Sequence, residues 1–354
     1  MKMIKWPSIE QFRNVIKNVQ HRAAYGGQDV NGEPIYLHHL PKPSLRFQGT
    51  VKLHGTNAAV VADRHGDIWA QSRENIITVE KDNAGFASFL HSHKDEFRDL
   101  LSTAVGVYGA QAAYDSPYIC VYGEWCGGNI QSGVAITGLP KMFVIIGIAF
   151  ADEESNKTYF TKEQIKDTVD GCREYIGLGH AIKTIWDFPT FDITIDFERP
   201  ELSQNELGNI TEEVERVCPV GLALGNSGVG EGVVWRCIEP GFEDSGFWFK
   251  VKGEKHSASK VKTLAAVDIE KVNSIKECVE KTVTESRLKQ GLEHLTQNQL
   301  EHDVKNMGAF LKWISGDLAK EELDTITESG LEFKEVVKEA QRVARTWFLA
   351  QLGV

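Results

Sequence analysis

The chain of 354 residues is long enough for two domains. Its 42% apolar and 25% charged residues lie in the ordinary globular range, and no stretch approaches the roughly 18 consecutive apolar residues of a membrane-spanning helix. A formal net charge of −11 speaks against a surface that is basic throughout, so any nucleic-acid binding has to rely on positive charge confined to one groove.

The first residues, Met1-Lys2-Met3-Ile4-Lys5-Trp6-Pro7, lack the apolar core of a secretory signal, and the expectation is a cytoplasmic protein. Arg46 to Leu53 alternates as a strand does and runs into a Gly-Thr-Asn turn, after which Ala58 to Ala62 reads as a second strand. Arg64-His65-Gly66-Asp67 is the next turn, leading into a third strand from Ile68 to Arg73. These three are expected to form one antiparallel sheet, with Lys52 and Arg73 facing a common pocket. Residues Glu80 to Ala113 read as a mainly helical insertion before a strand at Tyr118 to Glu124. Further apolar strands are expected at Met142 to Phe150, Gly232 to Cys237 and Phe247 to Val251, with helices at Thr161 to Glu174 and Asn205 to Val217 between them. From about Ala265 the texture changes to charged, amphipathic stretches, ending with Phe333, Val336, Val337, Ala340, Val343, Ala344, Trp347 and Phe348 at helical spacing. Trp313 and Trp347 there are read as core residues.

Chemistry concentrates in three lysine- or glutamate-bearing segments: Lys52-Leu53-His54-Gly55-Thr56-Asn57, Glu231-Gly232-Val233-Val234 and Lys250-Val251-Lys252-Gly253. A free lysine has a pKa of roughly 10.4, so only about one in a few thousand is a nucleophile at neutral pH. Neighbouring cations such as Lys250 and Lys252 lower that pKa and offset phosphate charge during attack, which suits transfer of a nucleotide onto Lys52. Lys250, Lys252, Lys255, Lys260 and Lys262 lie close enough in sequence to build a local positive groove. Gly225 to Gly230 looks like a phosphate loop, but no GK[ST] follows and the segment leads into a strand, so that reading fails. His54 is a candidate for orienting phosphate, whereas His38-His39 and His91-x-His93 lack the company of a metal site. The six cysteines, at 120, 126, 172, 218, 237 and 278, form no C-x-x-C pair, which argues against zinc and for reduced thiols.

In order and spacing these segments resemble the RNA ligase 2 family of ATP-dependent polynucleotide ligases, within the covalent nucleotidyltransferase superfamily. The resemblance runs through residues 45 to 262, with a looser likeness of Thr284-Glu285-Ser286-Arg287-Leu288 to the family's helical C-terminal domain. It implies an α+β fold: an ATP-grasp-like nucleotidyltransferase domain of antiparallel sheets with flanking helices over residues 1–262, followed by a small all-α domain over 263–354. It makes Lys52 the residue that is adenylylated and groups Lys52, Glu231, Lys250 and Lys252 as catalytic. Around the nucleotide it places Val51, Asn57, Arg73 (to ribose and substrate phosphate), Glu124 of Tyr122-Gly123-Glu124-Trp125 (to the ribose hydroxyls), Glu231, and the two lysines on the phosphates. Glu231 and Glu124 are the expected ligands of Mg2+ or Mn2+.

One motif departs from the family pattern. The strand that stacks an aromatic on adenine is matched by Phe143-Val144-Ile145-Ile146-Gly147-Ile148, with Ile146 at the stacking position and Phe143 the nearest aromatic, so both stand as candidates. The resemblance implies a monomer that uses ATP to seal 3′-hydroxyl/5′-phosphate breaks through lysyl-AMP and RNA-adenylate, with nicks in duplex RNA as substrate and no membrane partner. A DNA ligase or a GTP-using capping enzyme shares the motifs but follows them with an OB-fold, whose short strands are not the pattern of residues 265–354. A relative that binds nucleic acid without catalysis is the non-enzyme alternative.

Overall fold

The computed structural model describes residues 1–82, 84–109, 111, 115–175, 177–257 and 274–353. The expected boundary at 262/263, the end of the helical insertion at Ala113, and Lys260 and Lys262 lie outside them. Helices mix with largely antiparallel sheets and a helical C-terminal region, the fold class expected. Two compact units divide the chain: Met1–Ser8, Gly49–Phe191 and Glu213–Glu231 form the first, and Ile9–Gln48, Asp192–Glu212 and Gly232–Val354 the second.

The first unit is built on a seven-stranded sheet. Strand Thr56–Asp63 lies antiparallel between Ile68–Ser72 and Tyr118–Cys126, and the latter pairs in turn with Met142–Ala151. The central strands are buried on both faces, which is why they read as apolar runs such as Ala58-Ala59-Val60-Val61 rather than as alternation. On one face the N-terminal segment is pinned by a two-way exchange with Gln71: the Ile4 amide donates to its Oε1 (3.1 Å) and its Nε2 donates to the Ile4 carbonyl (2.6 Å). Trp6 then packs on Tyr122, with ring centroids 4.8 Å apart. The helical insertion consists of Phe86–Ser92 and Lys94–Tyr108. In the second of these, Phe97, Leu100, Leu101 and Ala104 fall on one buried stripe at helical spacing, and Asp95 and Glu96 sit in the first turn where the helix dipole favours negative charge.

The second unit holds helix Phe12–Ala24, which the sequence reading missed although Phe12, Val15, Ile16 and Val19 carry the i, i+3, i+4, i+7 signature. Its Phe12 meets Phe249 at 4.9 Å, and Phe249 also touches Phe47 at 5.4 Å. A four-stranded sheet in the order Thr190–Asp196, Ser44–Lys52, Gly232–Cys237, Trp248–Lys252, of which Gly49–Lys52 and Thr190–Phe191 belong to the first unit, corrects the expectation that the Lys52 strand shares a sheet with the two strands that follow it. The C-terminal helices Ile275–Thr282, Glu285–Gln297, Met307–Glu328 and Phe333–Gln351 enclose their own core around Phe310, Ile314, Leu318, Val336, Ala340, Ala344 and Phe348. Trp313 and Trp347 pack against that core, as their spacing suggested. Among the described residues no helix is long and apolar enough to cross a membrane.

Candidate active site

Lys52 ends its strand one residue past Val51, whose side chain is 3% exposed and anchors that strand end in the core. The Lys52 ammonium lies 2.6 Å from Glu231 Oε1, and His54 Nδ1 lies 3.3 Å from the other Glu231 oxygen. Lys52 keeps 23% of its side chain in solvent while Glu231 keeps 2%, so a part-exposed lysine is held by a carboxylate that water barely touches. Glu231 is delivered by the Gly225–Gly230 segment, which leads into strand Gly232–Cys237 and not into a helix, as the rejection of a phosphate loop required.

Gly55 explains the glycine of the first motif. A Cβ there would meet the Trp125 carbonyl at 2.5 Å and the Cys126 Cβ at 2.7 Å, so only glycine lets the turn after Lys52 lie against strand Tyr118–Cys126. That approach brings the Gly55 amide 2.9 Å from Glu124 Oε1, a bond it donates. Asn57 stands opposite Glu124 across the strand pair and donates its side-chain amide to the Gly123 carbonyl at 3.4 Å. Lys52, His54, Asn57, Glu124 and Glu231 are thus gathered in the first unit from three separated segments.

The buried carboxylates and the lysine act on one another electrostatically. Loss of solvation pushes the Glu124 carboxyl up to about 7 against a downward pull from Lys52, while the like charge of Glu231 adds to the rise and the Gly55 amide and His54 oppose it. Among the described residues no group of three or more His, Cys, Asp or Glu side chains is arranged to hold a metal ion. Two neighbouring carboxylates nevertheless suit Mg2+, which binds through one or two carboxylates and leaves its other positions to water and substrate phosphates.

Glu124 therefore predicts a sign for stability. Folded and unfolded chains are both protonated there below the ordinary value of 4.5, so no difference arises. Between that value and about 7 the folded state binds more protons, and stability falls as pH rises; above it the penalty is complete. Glu124→Gln, fixed in the neutral form, is expected to raise the thermal midpoint relative to the unsubstituted protein at pH 8 and to leave it unchanged near pH 4.5 without nucleotide or metal. An equal shift at both pH values would contradict the elevated carboxyl.

The adenine candidates separate cleanly. Phe143 is fully buried, 5.0 Å from Phe86 and 5.7 Å from Phe97, so it is a core residue of the first unit. Ile146 sits at a bulge: Tyr122 pairs with Gly147 and Gly123 with Ile145, leaving Ile146 as the extra residue. It is also the one incompletely buried position of strand Met142–Ala151. Sequence pattern could not locate that bulge, because it depends on the register of a partner strand. Arg73 is 45% exposed and its polar partners are Ser8 (3.4 Å) and Glu74 (3.9 Å), not Lys52.

In the second unit, strand Trp248–Lys252 pairs with Gly232–Cys237 so that Gly232 faces Lys252 and Val234 faces Lys250. Gly232 has φ +153° and a Cβ there would lie 2.1 Å from the Val251 carbonyl, which accounts for the glycine after Glu231. Lys250 and Lys252, two apart, share the partly exposed face of their strand, and Lys255 beyond it is exposed. Lys250 is paired at 3.1 Å with Glu321 of helix Met307–Glu328, a partner nothing in the local sequence announces.

A family model described as RNA ligase matches residues 45–252, more than half of the chain. Among solved structures, a Naegleria gruberi RNA ligase mutant with ATP and Mn is similar at 15% identity and TM-score 0.42, over 71% of this chain and 57% of that one. A mutant of the same ligase with AMP and Mn gives 15% and 0.42 over 72% and 58%, and the ligase with pyrophosphate gives 15% and 0.41 over 72% and 59%. The chain thus spans under two thirds of the length of these structures. No curated protein matches it.

Proposed function

The chain belongs to the RNA ligase family, and from that premise we propose that it is an ATP-dependent RNA ligase working through lysyl-AMP. The observation that carries the proposal is the pairing of the part-exposed Lys52 side chain with buried Glu231 at 2.6 Å, which fixes the direction of one candidate nucleophile.

In the first step the Lys52 nitrogen bonds to the α-phosphorus of ATP while the bond to the bridging oxygen breaks; pyrophosphate leaves and the amine gives up a proton. An oxygen of an RNA 5′-phosphate then displaces the lysine from that phosphorus, yielding RNA-adenylate. Finally the adjacent 3′-hydroxyl attacks the 5′-phosphorus and AMP departs, closing the phosphodiester. Glu231 and Glu124 would hold a divalent cation, Mg2+ or Mn2+, whose contribution is to neutralise phosphate charge. On the family pattern Asn57 and Arg73 contact nucleotide and substrate, Glu124 the ribose, Ile146 the adenine face, and Lys250 and Lys252 the phosphates. Residues 1–262 are assigned to adenylyl transfer and 263–354 to a helical domain. The substrate assigned is a nick in duplex RNA, recognised by A-form shape and 2′-hydroxyls by a monomer in the cytoplasm.

Incubation with α-labelled ATP or GTP and Mg2+ tests this. The expected result is one AMP per chain, in an acid-labile and base-stable bond, recovered on the peptide containing Lys52. Label from neither nucleotide, or label on another peptide, would remove the proposal. Nicked duplexes with RNA or DNA on either side of the break then define the substrate.

A further inference from the structure

The helix Met307–Glu328 reaches back to the strand that carries Lys250. Glu321 Oε1 lies 3.1 Å from the Lys250 ammonium, and the other carboxylate oxygen accepts from the Gln11 side-chain amide. The docking is broader than this pair. Arg13 donates to the Glu321 carbonyl and, at 3.0 Å, to Thr325 Oγ1, and Lys17 pairs with Asp324 at 2.7 Å. One turn and a half of the helix is therefore tied to helix Phe12–Ala24 and to Lys250 at the same time.

The pairing is costly to make and specific once made. Lys250 keeps 20% of its side chain in solvent and Glu321 16%, so both charges have surrendered most of their water and depend on one another. Loss of solvation pushes the Glu321 carboxyl up, but the Lys250 charge and the bonds from Gln11 and Lys250 outweigh it and hold the group down at about 2. Glu321 is thus an anion throughout the physiological range. Lys250 is drawn down from its ordinary value by its own loss of solvation, with Lys252 and Lys320 adding to the fall and Glu321 opposing it. A carboxylate presents two adjacent anionic oxygens, as a phosphate does, and an ammonium whose charge is paired with one is less available to the other.

We propose that Glu321 is an internal stand-in for the nucleotide's phosphates, occupying Lys250 in the free protein and competing with the triphosphate for it. The inference rests on the assignment of Lys250 to the phosphates. Its direct consequence is that the helical segment sets the apparent affinity for ATP without taking part in the chemistry. Glu321 is therefore a gating residue that acts through Lys250.

The test uses the full chain and reads initial rates of AMP incorporation against ATP concentration, normalised to the labelling end-point, so that a partly unfolded preparation alters neither the normalised rate nor KM. Glu321→Gln removes the charge but keeps the side-chain shape and the main-chain bond to Arg13. It is expected to lower the apparent KM for ATP by about threefold or more with the saturating rate changed less than twofold. The pyrophosphate concentration that strips AMP from the labelled protein should fall in parallel. Glu321→Asp, charged but one methylene shorter, should lie between the two. A KM unchanged or raised in Glu321→Gln while Lys250→Ala raises it would overturn the stand-in and leave the phosphate assignment intact. A KM indifferent to Lys250→Ala would overturn both, and it would do so without touching the adenylylation of Lys52.

Discussion

Lys52→Ala is expected to abolish self-labelling with ATP, a loss of at least about 10⁴-fold, because no other group can take the place of the nucleophile in a covalent mechanism. Lys52→Arg should be equally inactive: it keeps the positive charge and can still pair with Glu231, but a guanidinium is never deprotonated in a protein and offers no lone pair. The comparison separates charge from nucleophilicity, which alanine alone does not. A second arm separates chemistry from folding. Given RNA that already bears a 5′-adenylate, both variants should still join it to a 3′-hydroxyl, since that step needs only the alignment of ends and charge neutralisation around the leaving AMP. Joining of pre-adenylylated RNA together with absent self-labelling would locate the defect at one bond-forming event. Labelling retained in Lys52→Arg, or lost along with joining in both variants, would contradict the role assigned to the amine.

The second large effect is expected at Arg287, in the second unit. Its side chain is 0% exposed and lies inside the C-terminal helices, donating to Asp317 Oδ2 at 2.8 Å, to Glu322 Oε1 at 3.1 Å and to the Thr282 carbonyl. Glu322 is itself 1% exposed. Arg287→Ala deletes the cation while leaving the Glu322 charge where almost no water reaches it and Asp317 only 18% exposed, together with a cavity the size of the lost side chain. Breaking one side of a buried ion pair costs about 3–5 kcal/mol, and the thermal midpoint should fall by roughly 10 °C at neutral pH. Replacing the whole network with apolar residues, as in Arg287→Met, Asp317→Leu and Glu322→Leu together, should restore most of that loss, because the desolvation of charge disappears along with the pairing. A midpoint unchanged by Arg287→Ala would mean that the guanidinium contributes nothing to the helical core. The tail segment Thr284 to Leu288 drew notice in the sequence for its likeness to the family's C-terminal domain; the structure gives its arginine a packing role.

What the sequence determined by itself is everything that a local period or a short ordered motif can encode. Strands at 56–63, 68–72, 118–126 and 142–151 follow from short apolar runs bounded by turn residues, and the helices at 162–175 and 204–216 and the amphipathic C-terminal helices from residues that recur every third to fourth position. The order of Lys52, Glu124, Glu231 and the Lys250–Lys252 pair by itself points to covalent nucleotide transfer. Tertiary structure alone decided the rest, because each remaining feature is a pairing between segments far apart in the chain. It seated the Lys52 strand in a different sheet from its sequence neighbours, and it delivered the Gly55 amide to Glu124. It made Phe143 a core residue and lifted Ile146 onto a bulge through the register of strand Tyr118–Cys126. It also set Glu321 against Lys250 across 71 residues of chain. A side chain's type states what chemistry it can do; which partner holds its charge, and how much water is left beside it, is fixed only when the chain has folded back on itself.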